Sequence, residues 1–232
     1  MAVHALIPAA GVGRRMGASG NKQYLELGDR PVLAHTLARL AALEGIDALH
    51  VIVPETERAY CRDEIVARFG LTKVRSVLAG GAERQDSVRN GLAGCGAADD
   101  DVVLIHDGVR PFFPAARIGS LLAAAAECGA ALLAIPTQDT IKEVADGQVL
   151  RTLDRSRLWQ VQTPQAFRFV VIRDAHRQAH EEGFAGTDDA SLVEWRGCPV
   201  AVIPGSPFNL KLTTPEDLAL ARALLAAGLL KG

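Results

Sequence analysis

Several signatures are absent from this sequence, and each absence removes a class of function. No run reaches the roughly 18 apolar residues that a membrane-spanning helix requires, although 49% of the 232 residues are hydrophobic, so we expect no membrane partner. The cysteines, at positions 61, 95, 128 and 198, form no CxxC pair or other metal-ligand spacing, which argues against a structural zinc site or a disulfide framework. A formal net charge of −2 supplies no general basic field for gripping nucleic acid, and any phosphate affinity must be local. The opening stretch MAVHALIPAAGVGRRMG lacks a basic start and runs into a glycine loop. It reads as a core strand rather than a signal peptide, and a cytoplasmic protein is expected. With no internal repeat or low-complexity linker, we expect one domain over residues 1–232.

What is present is an alternation. Short apolar segments at Val3 to Pro8, Ala48 to Val53, Val74 to Leu78, Val102 to His106 and Ala130 to Ile135 predict strands. Between and after them, helix patterns cover Val32 to Leu43, Glu57 to Phe69, Asp86 to Leu92, Ala115 to Cys128, Val170 to Glu182 and Pro215 to Leu225. Such alternation predicts an α/β fold with a mostly parallel sheet. The segment from Thr137 to Gln162 breaks the rhythm, because DTIKEV and QVLRTL flank the turn signal Ala145, Asp146, Gly147; we read a protruding β-hairpin arm.

Phosphate chemistry is suggested at three places. After the first strand, Gly11 and Gly13 allow backbone N–H groups to approach an anion, with Arg14, Arg15 and Lys22 close in sequence. Met16 stands where a dinucleotide fingerprint needs its third glycine, and the GK[ST] of a P-loop is missing. LAGGAERQDSVRNGL sets Gly80 and Gly81 before a helix whose first turn holds Arg84, Gln85, Asp86 and Ser87. That pattern serves either an anion site or ordinary capping. LIHDGVRPF ends a strand on His106, Asp107 and Arg110, where Asp107 suits a hydroxyl or a phosphate-bound magnesium ion. Thr187, Asp188 and Lys211 sit at further element ends, while His176 and His180, at i,i+4 without a third ligand, are read as a solvated face.

PAAGVGRRM, NKQYLELGDRPVLAHTL, LAGGAERQDSVRNGL, IHDGVRPF, DTIKEV, LDRSRLWQVQTPQAF, TDDASLVE and NLKLTTPEDLALA occur together and in this order. Over nearly the whole chain the sequence resembles the 2-C-methyl-D-erythritol 4-phosphate cytidylyltransferase family. The resemblance implies a single-domain Rossmann-like nucleotidyltransferase fold that uses CTP, a sugar-alcohol phosphate and Mg2+ accompanying the nucleotide. It implies that Ala9, Ala10, Gly11 and Gly13 border the nucleotide, that Arg15 and Lys22 contact the triphosphate and transition state, and that Gly81 and Ser87 lie at the cytosine end. Asp107 and Arg110 would lie near ribose, metal or acceptor phosphate, and Thr140, Arg155, Thr187 and Lys211 would hold the acceptor. Arg15, Lys22, Arg155 and Lys211 form the implied catalytic set. A homodimer with shared active sites is also implied, the 137–162 arm delivering Thr140 and Arg155 to the partner's site.

Two departures from the family pattern are visible. Ala82 occupies a position that is often acidic, so no polar contact is expected from it, and Gly108 with Val109 replaces a common alanine pair. The related ribitol 5-phosphate cytidylyltransferases share the glycine loop and the VRPF signature. Lys142 in DTIKEV and the KLTTPEDL ending favour methylerythritol phosphate as acceptor. A nucleotide-binding regulator without turnover is disfavoured by retention of both Arg15 and Lys22, and a dehydrogenase by Met16.

Overall fold

The computed structural model describes residues 1–11 and 21–230. Strand β1 (Val3–Pro8) is followed by the short ladder of β2 (Glu26–Leu27) and β3 (Arg30–Pro31), then by α1 (Val32–Ala41). Strand β4 (Ala48–Val53) leads to α2 (Arg58–Tyr60), which continues as a π-helical stretch over Cys61–Ala67. Next come β5 (Val74–Ala79), α3 (Arg84–Gly94), β6 (Val102–Ile105), α4 (Ile118–Cys128) and β7 (Ala130–Pro136). A hairpin of β8 (Lys142–Ala145) and β9 (Gln148–Thr152) precedes β10 (Trp159–Arg168) and α5 (Phe169–Glu181). The chain closes with α6 (Asp189–Trp195), β11 (Ala201–Pro204) and α7 (Pro215–Ala226).

Seven strands form one sheet in the order β11-β7-β10-β6-β1-β4-β5. Pairing is parallel except that β10 runs antiparallel to both β6 and β7. Side chains alternate between the faces of the sheet: Ala5, Ile7, Val51 and Leu104 join the layer beneath α1 and α4, while Leu6, Ile52, Val103 and Ile105 pack under α3 and α5. Strands covered on both faces must be apolar almost continuously, which is why all six residues of β4 are buried. The chain moves from β1 to β4 and β5 on one side, then returns to β6 on the other. Ala9 to Gly11 after β1, Gly81 to Arg84 after β5 and Asp107 with Val109 after β6 face one crevice at the C-terminal edge of the sheet, where open α/β sheets receive ligands.

The hairpin forms as its turn signal predicts. Asp146 and Gly147 have φ of 50° and 76°, a left-handed pair for which Asp-Gly is well suited. Strands β8 and β9 pair only with each other and leave Val144, Val149 and Leu150 exposed. The arm is shorter than the 137–162 segment, because Trp159 to Gln162 already pair with β7 in the main sheet. At the other end, Thr214 caps α7 through a reciprocal capping box with Asp217, and Pro215 takes the first turn where its missing N–H costs nothing. Helix α7 packs Ala221 and Leu224 onto Leu27, Val109, Phe112 and Leu212, pinning the chain beside Lys211.

Candidate functional site

Two adjoining clefts open at the C-terminal edge of the sheet. The first, about 470 Å³, is lined by Pro8, Ala9, Ala10, Gly11, Lys22, Gln23, Gly81, Ala82, Glu83, Arg84, Ser87, Asp107, Val109, Lys211 and Thr213. The second, about 390 Å³, is lined by Arg84, Asp107, Arg110, Val161, Gln162, Thr163, Gln165, Thr187, Asp188, Ser191, Glu194 and Lys211. Arg84, Asp107 and Lys211 belong to both and form the wall where they meet.

The first cleft is shaped by backbone that packs too closely for side chains. A Cβ on Gly80 would fall 2.8 Å from Ala10 Cβ, and one on Gly81 would fall 2.3 Å from Asp86 Cβ. Buried Ser87 ties this loop to α3: its hydroxyl accepts from Gly81 N–H at 3.0 Å and donates to the Glu83 carbonyl at 3.0 Å. Glu83 and Asp86 complete a reciprocal capping box. Ala82 lines the cleft with a methyl group alone. Lys22 lies over the opposite loop, where a Cβ on Gly11 would sit 3.7 Å from Lys22 Cε.

Electrostatics concentrate on Asp107, whose side chain is 7% exposed. Its Oδ2 meets Lys211 Nζ at 3.0 Å and Arg110 Nε at 3.2 Å, and its Oδ1 meets Arg84 Nε at 3.4 Å. Burial alone would raise the Asp107 carboxyl, but Lys211, Arg84 and Arg110 outweigh it and hold the group below the ordinary carboxylate range. Arg84 also reaches Asp189 Oδ2 at 2.7 Å, and Asp189 Oδ1 accepts from His176 Nε2 at 3.1 Å. Burial would likewise raise Asp189, and Arg84 followed by His176 brings it down. Arg84, Arg110 and Lys211 outnumber Asp107 and Asp189 at this wall, and Lys22 stands in the first cleft, whose lining also includes Glu83, while Asp188 and Glu194 line the second. The cations are gathered where the two clefts meet, so any attraction for an anion is local to that wall.

A chain of hydrogen bonds runs beneath this cluster. The Asp107 N–H donates to Thr163 Oγ1 at 3.1 Å; the Thr163 hydroxyl in turn donates to His106 Nδ1 at 3.0 Å, and His106 Nε2–H donates to the Arg110 carbonyl at 3.0 Å. This chain keeps His106 neutral, and burial pushes its pKa down to about 4. Leu212 N–H bonds the Val109 carbonyl at 3.0 Å, and Arg110 Nη1 bonds the Asn209 carbonyl at 2.7 Å, so Lys211 is held beside Asp107 by backbone on either side.

Of the residues expected from sequence, Ala9, Ala10, Gly11, Lys22, Gly81, Ser87, Asp107 and Lys211 line the first cleft, and Arg110 and Thr187 line the second. Gly13 and Arg15 lie outside the described residues. Thr140 and Arg155 are exposed and line neither cleft of their own chain; Arg155 Nη1 donates to the Gln138 carbonyl at 2.6 Å. His176 corrects its expectation: it is 1% exposed rather than solvated, because the inward face of α5 meets α6 there, while His180 remains exposed. Asp189 passed unnoticed, since an acid in TDDAS reads as a helix cap; only its pairing with Arg84 reveals a place in the site.

Asp107 does not fit as a direct ligand for a divalent cation. Both of its oxygens already face positive groups within 3.4 Å, and a metal ion would have to displace them. Among the described residues no group of three or more His, Cys, Asp or Glu side chains is placed to hold a metal. None of the described helices is long and apolar enough to cross a membrane.

The sequence matches the family model for 2-C-methyl-D-erythritol 4-phosphate cytidylyltransferase over residues 3–227. It is 61% identical over 225 residues to the protein of that name from Syntrophotalea carbinolica, with 97% of each chain covered. To the one from Geotalea uraniireducens it is 56% identical over 227 residues, again with 97% of each covered. In three dimensions it is similar to the crystal structure of 4-diphosphocytidyl-2C-methyl-D-erythritol synthase from Anaerococcus prevotii, with a TM-score of 0.83 at 30% identity over 97% of this chain and 96% of that one.

Proposed function

Because the chain belongs to the 2-C-methyl-D-erythritol 4-phosphate cytidylyltransferase family, we propose that the first cleft receives CTP, the second receives the acceptor phosphate, and the wall of Arg84, Asp107 and Lys211 lies where they react. The enzyme transfers CMP from CTP to 2-C-methyl-D-erythritol 4-phosphate, giving 4-diphosphocytidyl-2-C-methyl-D-erythritol and pyrophosphate in isoprenoid precursor biosynthesis.

In this reading an acceptor phosphate oxygen attacks the α-phosphorus of CTP in line, the bond to the β-phosphate oxygen breaks, and pyrophosphate leaves with that electron pair. No covalent enzyme intermediate forms. Two anions must meet, and their repulsion is the main obstacle, so fixed cations that screen the approach and stabilise the five-coordinate phosphorus supply most of the catalysis. Lys22, beside the Gly11 loop, and Arg15 take the triphosphate; Lys211 and Arg155 hold the acceptor phosphate. Ala9, Ala10, Gly11 and Gly13 border the nucleotide, Gly81 and Ser87 the cytosine end, and Arg110, Thr140 and Thr187 the acceptor. Asp107 orients a sugar hydroxyl and keeps Lys211, Arg84 and Arg110 at a common centre. The nucleotide enters as its magnesium complex, so the divalent cation belongs to the substrate. We place the enzyme in the cytoplasm, as a homodimer in which the arm carries Thr140 and Arg155 to the neighbouring active site.

The observation that carries this reading is the shared wall: three cations converge on one buried carboxylate between two clefts sized for two small ligands. It is tested by following pyrophosphate release from CTP, which should require methylerythritol phosphate. UTP and ATP should be poor donors, since a base site left with unpaired polar groups rejects the wrong base strongly. Equal turnover with UTP would refute the assignment of the first cleft to cytidine.

A further inference from the structure

Lys22 stands in a three-residue turn, Lys22–Tyr24, whose own backbone bonds are few: Tyr24 N–H to the Asn21 carbonyl at 2.9 Å and Leu25 N–H to the Lys22 carbonyl at 3.3 Å. A turn this short cannot aim a long side chain unaided. The residues on both sides of Lys22 are anchored to one acid on another element. Asn21 Nδ2 donates to Glu57 Oε1, and Gln23 Nε2 donates to Glu57 Oε2 at 3.2 Å. Glu57 ends the turn Glu55–Glu57 that follows β4, the strand whose Ile52 carbonyl receives the Ala9 N–H at 2.7 Å. The support of Lys22 and the loop that Lys22 overlies thus hang on the same strand. Gln23 is 1% exposed, while Asn21 and Glu57 are half-buried.

We propose that Glu57 is a positioning residue for catalysis, its two carboxylate oxygens clamping Asn21 and Gln23 so that the intervening Lys22 ammonium is held over the Gly11 loop. The proposal rests on the reading of Lys22 as a triphosphate contact. Charge alone predicts the opposite sign, which makes the idea separable: replacing an anion near the cleft by a neutral group makes the cleft more positive and should tighten CTP binding. Loss of position should instead weaken transition-state contact, because a displacement of about 1 Å can cost up to about 100-fold.

The test is a double-mutant cycle on kcat/KM for CTP, using Glu57→Ala, Lys22→Ala and the double variant, each checked for cooperative thermal unfolding above the assay temperature. Glu57→Ala is expected to lose roughly 10- to 100-fold in the wild-type background and no more than about twofold when Lys22 is already absent. Glu57→Gln, which keeps one acceptor, should lose less than Glu57→Ala, and it carries the same cycle if Glu57→Ala fails to fold. Equal losses in both backgrounds, or tighter use of CTP by Glu57→Ala, would overturn the proposal while leaving Lys22 in place. Wild-type turnover by Lys22→Ala alone would remove the reading of Lys22 and the role of Glu57 with it.

Discussion

Substituting Asp189 by Asn changes one atom and no volume, so its effect isolates the charge that anchors Arg84. Asp189 is 1% exposed, forms an ion pair with Arg84 at 2.7 Å and accepts from His176 at 3.1 Å. A hydrogen bond involving a charged group contributes about 1.5–3 kcal/mol, and a neutral one about 0.5–1.5 kcal/mol. Taking the charge from both the ion pair and the hydrogen bond would cost about 2–3 kcal/mol if each is valued as a charged contact; because the Arg84 side chain is 31% exposed and can recover some hydration, about 2 kcal/mol is expected at neutral pH. For a chain of this length that corresponds to a fall in Tm of about 4–8 °C. Urea titration should show a lower midpoint at an unchanged m-value. The carboxyl of Asp189 lies below its ordinary value in the folded protein, so its contribution is fully present above the unfolded pKa of about 3.9 and is lost as pH falls through the folded value. The gap between wild type and variant should therefore hold from pH 8 to pH 5 and begin to close below about pH 4. A gap under about 0.5 kcal/mol at pH 7, the size of an ordinary surface change, or one that stays constant into acid, would refute the charge argument.

Two further outcomes concern the division of labour in the site. Arg15→Ala and Lys22→Ala should lower kcat on the order of 100-fold, as expected for contacts that strengthen while charge develops. Arg155→Ala and Lys211→Ala should instead raise the acceptor KM markedly, and steady-state kinetics with each substrate varied separates the two patterns. Mixing Lys22→Ala and Arg155→Ala subunits after dissociation, assayed with acceptor far below the raised KM of Arg155→Ala so that neither parent turns over appreciably, should restore roughly a quarter of wild-type activity, since about half the dimers are mixed and each carries one intact site. Verified subunit exchange without recovery would place Arg155 in its own chain's site or in neither.

The strands that form the centre of the sheet were the most legible. Val3–Pro8 and Ala48–Val53 form with the bounds their apolar runs predict, because a parallel strand covered on both faces must be continuously hydrophobic and ends at proline. Strand β10 was hidden for the opposite reason. Gln162, Thr163 and Gln165 are buried and polar, and each is used: Gln162 bonds the Ser206 carbonyl, Thr163 supports Asp107 and His106, and Gln165 bonds Asp188 and the Ala190 N–H. A strand whose polar residues are spent on site loops carries no apolar periodicity. Helix α6, seven residues long, and the four-residue β11 are too short for their patterns to stand out. In the site, Asp107 was visible as a strand-end acid, whereas His176 and Asp189 were misread or missed because their meaning comes from a partner distant in sequence. Glu57 was hidden for the same reason, since only folding brings it to Asn21 and Gln23.

The most direct test of the central claim is the ratio of kcat/KM for 2-C-methyl-D-erythritol 4-phosphate to that for ribitol 5-phosphate, both with CTP, followed by pyrophosphate release. A ratio well above one, with 4-diphosphocytidyl-2-C-methyl-D-erythritol as the product, is the predicted result. Faster turnover of ribitol 5-phosphate would contradict the assigned acceptor, and pyrophosphate release that is indifferent to either alcohol phosphate would contradict cytidylyl transfer altogether.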